Sequence, residues 1–121
     1  MTIVATSLMV LTALEAATEL AKEGIEAEVV DPRTLNPLDI DTILNSVKKT
    51  NHLVILHEAN ERCGVGAEIA AQVADKGFDY LDAPIKRVCA PNSVIPYNQH
   101  LEKLFIPSKE RVVEAAKAIL G

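Results

Sequence analysis

His52-Leu53-Val54-Ile55-Leu56-His57 decides the fold. Four consecutive large aliphatics leave no position suited to water, so this segment is a strand covered on both faces, in the interior of a parallel sheet. On its amino-terminal side, Asn36-Pro37-Leu38-Asp39 opens a helix with Ile40, Ile43, Leu44 and Val47 on its buried stripe. Lys48-Lys49 closes that helix, where cations suit the carbonyl end. Ala27-Glu28-Val29-Val30-Asp31 before it is a second strand, ended by Pro32. The chain begins with a β-branched strand, Thr2-Ile3-Val4-Ala5-Thr6. A helix follows, capped by Ser7, burying Val10, Leu14, Ala17, Leu20 and Ala21 and stopping at Gly24. On the carboxyl-terminal side, Cys63-Gly64-Val65-Gly66 turns into a helix with Ile69, Ala70, Val73 and Ala74 inward. Pro84-Ile85-Lys86-Arg87-Val88-Cys89 has fewer apolar positions and is a strand nearer an edge. A proline-punctuated loop from Ala90 to Pro107 holds one short helix around His100–Leu104. Ser108 then caps a last helix facing inward through Val112, Val113, Ala116, Ile119 and Leu120. Strands alternating with helices in this order predict one α/β sandwich with a largely parallel sheet.

Composition narrows the function classes. The 121 residues, 49% hydrophobic and 24% charged, suit one globular domain that needs neither disulfides nor a structural metal to fold. The length also suits a piece of a larger enzyme. Twelve basic against seventeen acidic residues give a net charge of −5. No basic stripe exists to follow a phosphate backbone, so nucleic acid is not an expected partner. No apolar run is long enough for a membrane span, so no membrane association is expected. Cys63 and Cys89 stand apart with no metal-ligand spacing, and two reduced thiols fit a cytoplasmic location.

The chemistry-bearing residues gather near the end of the central strand. Gly64-Val65-Gly66 lacks the third glycine of a dinucleotide fingerprint, because position 69 is Ile, so close helix–sheet packing is the simpler reading. His57-Glu58 lies at the carboxyl edge, where open α/β sheets place ligands, but adjacent strand residues point apart, which weakens any acid–base partnership. No serine or cysteine triad and no nucleophile elbow accompanies them. Asp31 and Arg33 form a loop-ordering ion pair. Tyr97 and Phe105 are two of only four aromatics, suited either to a contact hot spot or to plugging the local core. The candidate site is therefore an interface: His57, Glu58, Arg62, Gly64, Gly66 and Tyr97, with no catalytic, cofactor or metal residue assigned. A free-standing module binding a small molecule or anion at the Gly64–Gly66 helix start is the alternative.

Seven segments in order carry a further likeness. They are Leu14-Glu15-Ala16-Ala17 with Leu20 through Ile25, Glu28 through Asp39, Ser46 through Thr50, His57-Glu58-Ala59, Gly64 through Ile69, Leu81 through Val88, and Pro96-Tyr97 with Ile106-Pro107-Ser108. Together they make the chain resemble the transketolase C-terminal domain, as found in the E1 β subunits of thiamine-diphosphate-dependent 2-oxo acid dehydrogenases. The pyruvate and acetoin dehydrogenase types are the most similar. The resemblance implies a three-layer α/β/α sandwich with a mostly parallel five-stranded mixed sheet, one edge strand antiparallel, spanning 1–121 as a single domain. It implies that the catalytic histidine and the pyrimidine-binding domain lie in a preceding part of the polypeptide. Thiamine diphosphate and its Mg would then belong to the full E1 assembly, with none bound by this domain alone. The implied partners are an E1 α subunit, a second E1 β subunit and the E2 acyltransferase, whose docking the acidic balance would assist.

Overall fold

A computed structural model describes residues 1–121. Four strands and five helices follow one another as β1 (Thr2–Ala5), α1 (Met9–Lys22), β2 (Glu28–Val30), α2 (Ile40–Thr50), β3 (Leu53–Asn60), α3 (Val65–Gly77), β4 (Lys86–Ala90), α4 (Gln99–Phe105) and α5 (Lys109–Leu120), with a 3-10 turn at Phe78–Tyr80. The sheet order is β2-β1-β3-β4 and every pairing is parallel. β3 is interior and β4 is an edge, as its sparser apolar pattern predicts. The three-layer α/β/α class holds. The antiparallel fifth strand implied by the family likeness is absent from this chain, whose sole antiparallel pairing is the isolated Leu35–Leu38 bridge. The residues themselves contain four strand-like runs, and no fifth segment has the length and β-branched content to add to an edge.

The alternation of β3 builds both cores. Val54 and Leu56 join Ile3, Ala5, Val88, α1 and α5 on one face; Leu53 and Ile55 join Val4, Val30, α2 and α3 on the other. All four β3 aliphatics are at most 1% exposed, which is why none could be polar. Two polar side chains, Thr2 and Ser46, are buried at the amino edge of the sheet. The Thr2 hydroxyl is satisfied at 2.7 Å by Ser46 and at 2.6 Å by Thr50, while Ser46 donates to Glu28 at 2.8 Å.

α1 departs from the expected face. Met9, Ala13, Ala16 and Leu20 are buried, whereas Leu14 is 50% exposed. Alanines turn inward because α1 lies close to both the sheet and α5, and small side chains allow that approach. Ser7 does not cap the helix: its φ is +54°, and Leu8 holds the cap position without a side-chain hydrogen bond. The inward stripe is thus about one residue out of register with a reading based on aliphatic size. Leu14→Ala is expected to cost under about 1 kcal/mol in urea unfolding. Leu20→Ala should cost about 2–5 kcal/mol by leaving a cavity.

Candidate subunit interface

In a parallel sheet all strands end on one edge, and here that edge collects the segments following β1, β3 and β4. His57 lies on the same face of β3 as Leu53 and Ile55 and is packed under the first turn of α3. It is only 2% exposed. A Cβ at Gly66 would lie 2.5 Å from its Nε2 and 3.1 Å from Ile55 Cγ2; one at Gly64 would lie 2.6 Å from its Cε1. The two glycines are therefore the seat of the imidazole. That seat gives the two glycines a packing role, and nothing favours the anion-binding alternative.

His57 Nε2 meets the buried Cys89 Sγ of β4 at 3.3 Å, and Nδ1 has no hydrogen-bond partner. Burial first, and the Arg87 guanidinium second, hold the imidazole below its usual pKa, with the Ala59 backbone pulling weakly the other way. Burial also pushes the Cys89 thiol up. Both shifts favour the uncharged forms of this buried thiol–imidazole contact. Glu58 points away from it, half-buried at the rim.

The β3–α3 loop is clipped to the end of β4. Arg87 donates to the Glu61 carbonyl at 2.7 Å, Glu61 N–H donates to the Ala90 carbonyl at 3.1 Å, and Arg62 N–H donates to Asn92 Oδ1 at 2.8 Å. These bonds leave the Arg62 side chain exposed. A register irregularity between Leu56 and Asn60 lets the strand bend over β4 at this point. The Asp31–Arg33 pair, at 3.8 Å and largely exposed, orders its own turn and lies apart from this cluster.

Beyond the clipped loop the surface is apolar. Val94, Ile95, Tyr97, Leu101 and Leu104 are 88%, 63%, 108%, 53% and 80% exposed, while Phe105 is buried. The two loop aromatics thus split: Phe105 plugs the core and Tyr97 stands free. Leu8 and Leu11 are also exposed, at the start of α1 on the same sheet edge. A cleft of about 400 Å³ opens beside Tyr97, lined by Glu58, Ala59, Ile95, Glu102, Phe105 and Ile106. Large apolar side chains exposed together in one segment make this edge the candidate contact face. Of the expected site residues, Glu58, Arg62 and Tyr97 reach the surface, whereas His57, Gly64 and Gly66 form the support beneath. The exposed aliphatics went unread, although Leu101 and Leu104 at i, i+3, with Phe105 turned inward, was the available signal.

No group of three or more His, Cys, Asp or Glu side chains converges to hold a metal ion, and the ground under the α3 amino end is filled by His57. No helix is long and apolar enough to cross a membrane.

Residues 1–112 match the model of the family described as transketolase, C-terminal domain. The chain belongs to the transketolase C-terminal domain family. It is 52% identical over 120 residues to the acetoin:2,6-dichlorophenolindophenol oxidoreductase subunit beta of Bacillus subtilis, covering 99% of this chain and 35% of that protein. It is 50% identical over 118 residues to the pyruvate dehydrogenase E1 component subunit beta of Rickettsia felis, covering 98% of this chain and 36% of that one. Among solved structures, a split-gene transketolase described as an inactive beta4 tetramer superimposes with a TM-score of 0.83 at 29% identity, covering 98% of this chain and 37% of the other. The chain therefore spans about a third of the length of these relatives. Within this transketolase C-terminal domain, the β3–α3 junction is a packing device that underlies the exposed apolar sheet edge.

Two outcomes check the packing. Gly66→Ala should cost about 1–3 kcal/mol by overpacking the imidazole, and the loss should shrink in a His57→Ala background, as a double-mutant cycle in urea would show. A histidine pKa lowered by folding means the unfolded chain binds the proton more readily. The His57 contribution is therefore complete above the unfolded value of ~6.5 and is lost as pH falls below it, by at most ~1.4 kcal/mol per pH unit. His57→Gln should flatten the fall in the urea midpoint between pH 7 and 5, and an unchanged slope would contradict this.

Proposed function

We propose that this chain is the C-terminal assembly domain of the E1 β subunit of a thiamine-diphosphate-dependent 2-oxo acid dehydrogenase complex, of the pyruvate or acetoin dehydrogenase type. The observation that carries the reading is the near-complete coverage of this chain by proteins named as β subunits, at half identity. It is joined by a bare apolar face on a domain whose chemistry-bearing side chains are spent on packing. In this role the domain supports the contact with a second β subunit and with the E1 α subunit, and offers docking surface to the E2 acyltransferase. The net charge of −5 favours partners presenting basic surface. Thiamine diphosphate and Mg are held by the rest of the assembly, and the catalytic histidine lies outside these residues, in a subunit that also carries a pyrimidine-binding domain. Two free cysteines, one of them exposed, fit a reducing compartment, which we take to be the cytoplasm.

Two assays test this. The chain alone, given thiamine diphosphate, Mg and pyruvate or acetoin, should reduce no 2,6-dichlorophenolindophenol above the buffer rate. A chimera in which it replaces the matching 120 residues of the Bacillus subtilis relative, assembled with that enzyme's other subunit, should keep dye reduction within about tenfold of the parent, or ~1.4 kcal/mol of barrier. Turnover by the chain alone, or a chimera that assembles and is inert, would overturn the assignment.

A further inference from the structure

The strand order leaves β4 with one open flank. Two carbonyls fix which backbone groups face it. The Ala90 carbonyl accepts from Glu61 N–H on the β3 side, whereas the Cys89 carbonyl is reached from the other side by the Arg111 guanidinium at 3.0 Å. Backbone direction alternates along a strand, so the N–H and C=O of Arg87 point to the open flank with those of Cys89. α5 overhangs this flank. A groove of about 280 Å³ runs between Lys86 and Arg87 on the strand and Arg111, Ala115 and Ala118 on the helix, with Glu114 at its side.

Three cations and one carboxylate line the groove, on a chain whose net charge is −5. Arg87 is met by Glu61 at 3.7 Å, while Lys86, Arg111 and Glu114 form no ion pair. Lys86 lies on the α5 side of the sheet, since Val88, two residues on, belongs to that core. Lys86 and Arg111 therefore flank the open backbone on one side, and the methyl groups of Ala115 and Ala118 leave room above it. A bare edge accepts almost any strand unless charge or a cover prevents it. Here both unmatched guards are cations, so they turn away a basic strand and favour an acidic one. Arg111 has donors to spare, because one nitrogen holds the Cys89 carbonyl and the rest are open to a carboxylate.

We propose that the open flank of β4 binds an extended, acidic segment of a partner protein as an added strand. The Arg87 N–H donates to the backbone of that segment and the Arg87 carbonyl accepts from it. Alternate side chains of the segment, on the α5 side, are carboxylates that reach Lys86 and Arg111. This goes beyond the β-subunit reading and does not rest on it. The site lies on the lateral flank of the sheet, apart from residues 94–105, and stands on backbone direction and charge.

The test titrates the nitrogen-15-labelled chain at about 50 mM NaCl, where charge is weakly screened. The probes are two capped heptapeptides of opposite sign, one alternating glutamate with threonine and the other lysine with threonine. Threonine supplies strand propensity in both. The acidic peptide should shift the Arg87 and Cys89 amides and slow exchange of the Arg87 amide at least about fivefold. It should also bind at least about tenfold tighter than the basic one. Lys86→Glu with Arg111→Glu, at an unchanged circular dichroism spectrum, should invert that preference. Should the double variant fail to fold, Lys86→Glu alone, at an exposed position, should narrow the ratio at least about threefold. Equal affinity for the two peptides, or no shift up to about 1 mM of the acidic one, would overturn the proposal. Shifts at Lys86 and Arg111 without protection of the Arg87 amide would overturn it too, showing a surface charge contact and no strand. So would broadening of the Arg87 and Cys89 amides that grows with chain concentration before any peptide is added, which would give the flank to a second copy.

Discussion

The outline of the sheet edge beyond β3 depends on the imidazole of His57 having a place to sit. A ring at the end of an interior strand, buried on both sides, forces the helix above it either to stand off or to lack side chains. Gly64 and Gly66 supply the second solution, and α3 comes down onto β3 with Ile69 and Val73 in the core below. With α3 seated, the loop between strand and helix crosses the end of β4. There Arg87 and Asn92 hold its backbone. Glu58, Ala59 and Arg62 stand where that route puts them, against the segment 94–105. A buried packing choice thus sets the outline of the surface.

Much of the architecture is legible in the residues because burial on two faces leaves so little freedom. The run Leu53–Leu56 admits no reading other than an interior strand, and the helix stripes of α2, α3 and α5 come from aliphatics spaced by a turn, except that Ala74 and Leu120, expected inward, lie exposed. The reading fails where close approach outweighs size. In α1, Ala13 and Ala16 face the sheet and Leu14 faces out, since a helix pressed against both a sheet and α5 prefers its smallest residues inward. Ser7 has the chemistry of a cap but sits at positive φ, a local conformation that residue type does not announce. The antiparallel fifth strand came from likeness to relatives, and no run of residues in this chain supplies it.

The site was half legible. The sequence marks the end of β3 as the place where chemistry-bearing residues gather. It does not reveal that His57 is spent on packing against Cys89, because 32 positions separate them and only the register of β3 with β4 brings them together. Nor does it reveal that Val94, Ile95, Leu101 and Leu104 lie bare, because aliphatics in a loop are ordinarily taken as local core. Exposure is a property of the whole fold. The relatives that cover this chain are subunits by name and carry about twice as much chain again.

The central claim is that the sheet edge carrying residues 94–105 is a contact face covered in the assembled subunit. Backbone hydrogen exchange compares its two states directly, in the free chain and in the chimeric β subunit assembled with its partner. The account predicts that the amides of 94–105 exchange freely in the first and at least tenfold more slowly in the second, while those of β3, already closed by the core, do not change. Equal exchange at 94–105 in both states would contradict it.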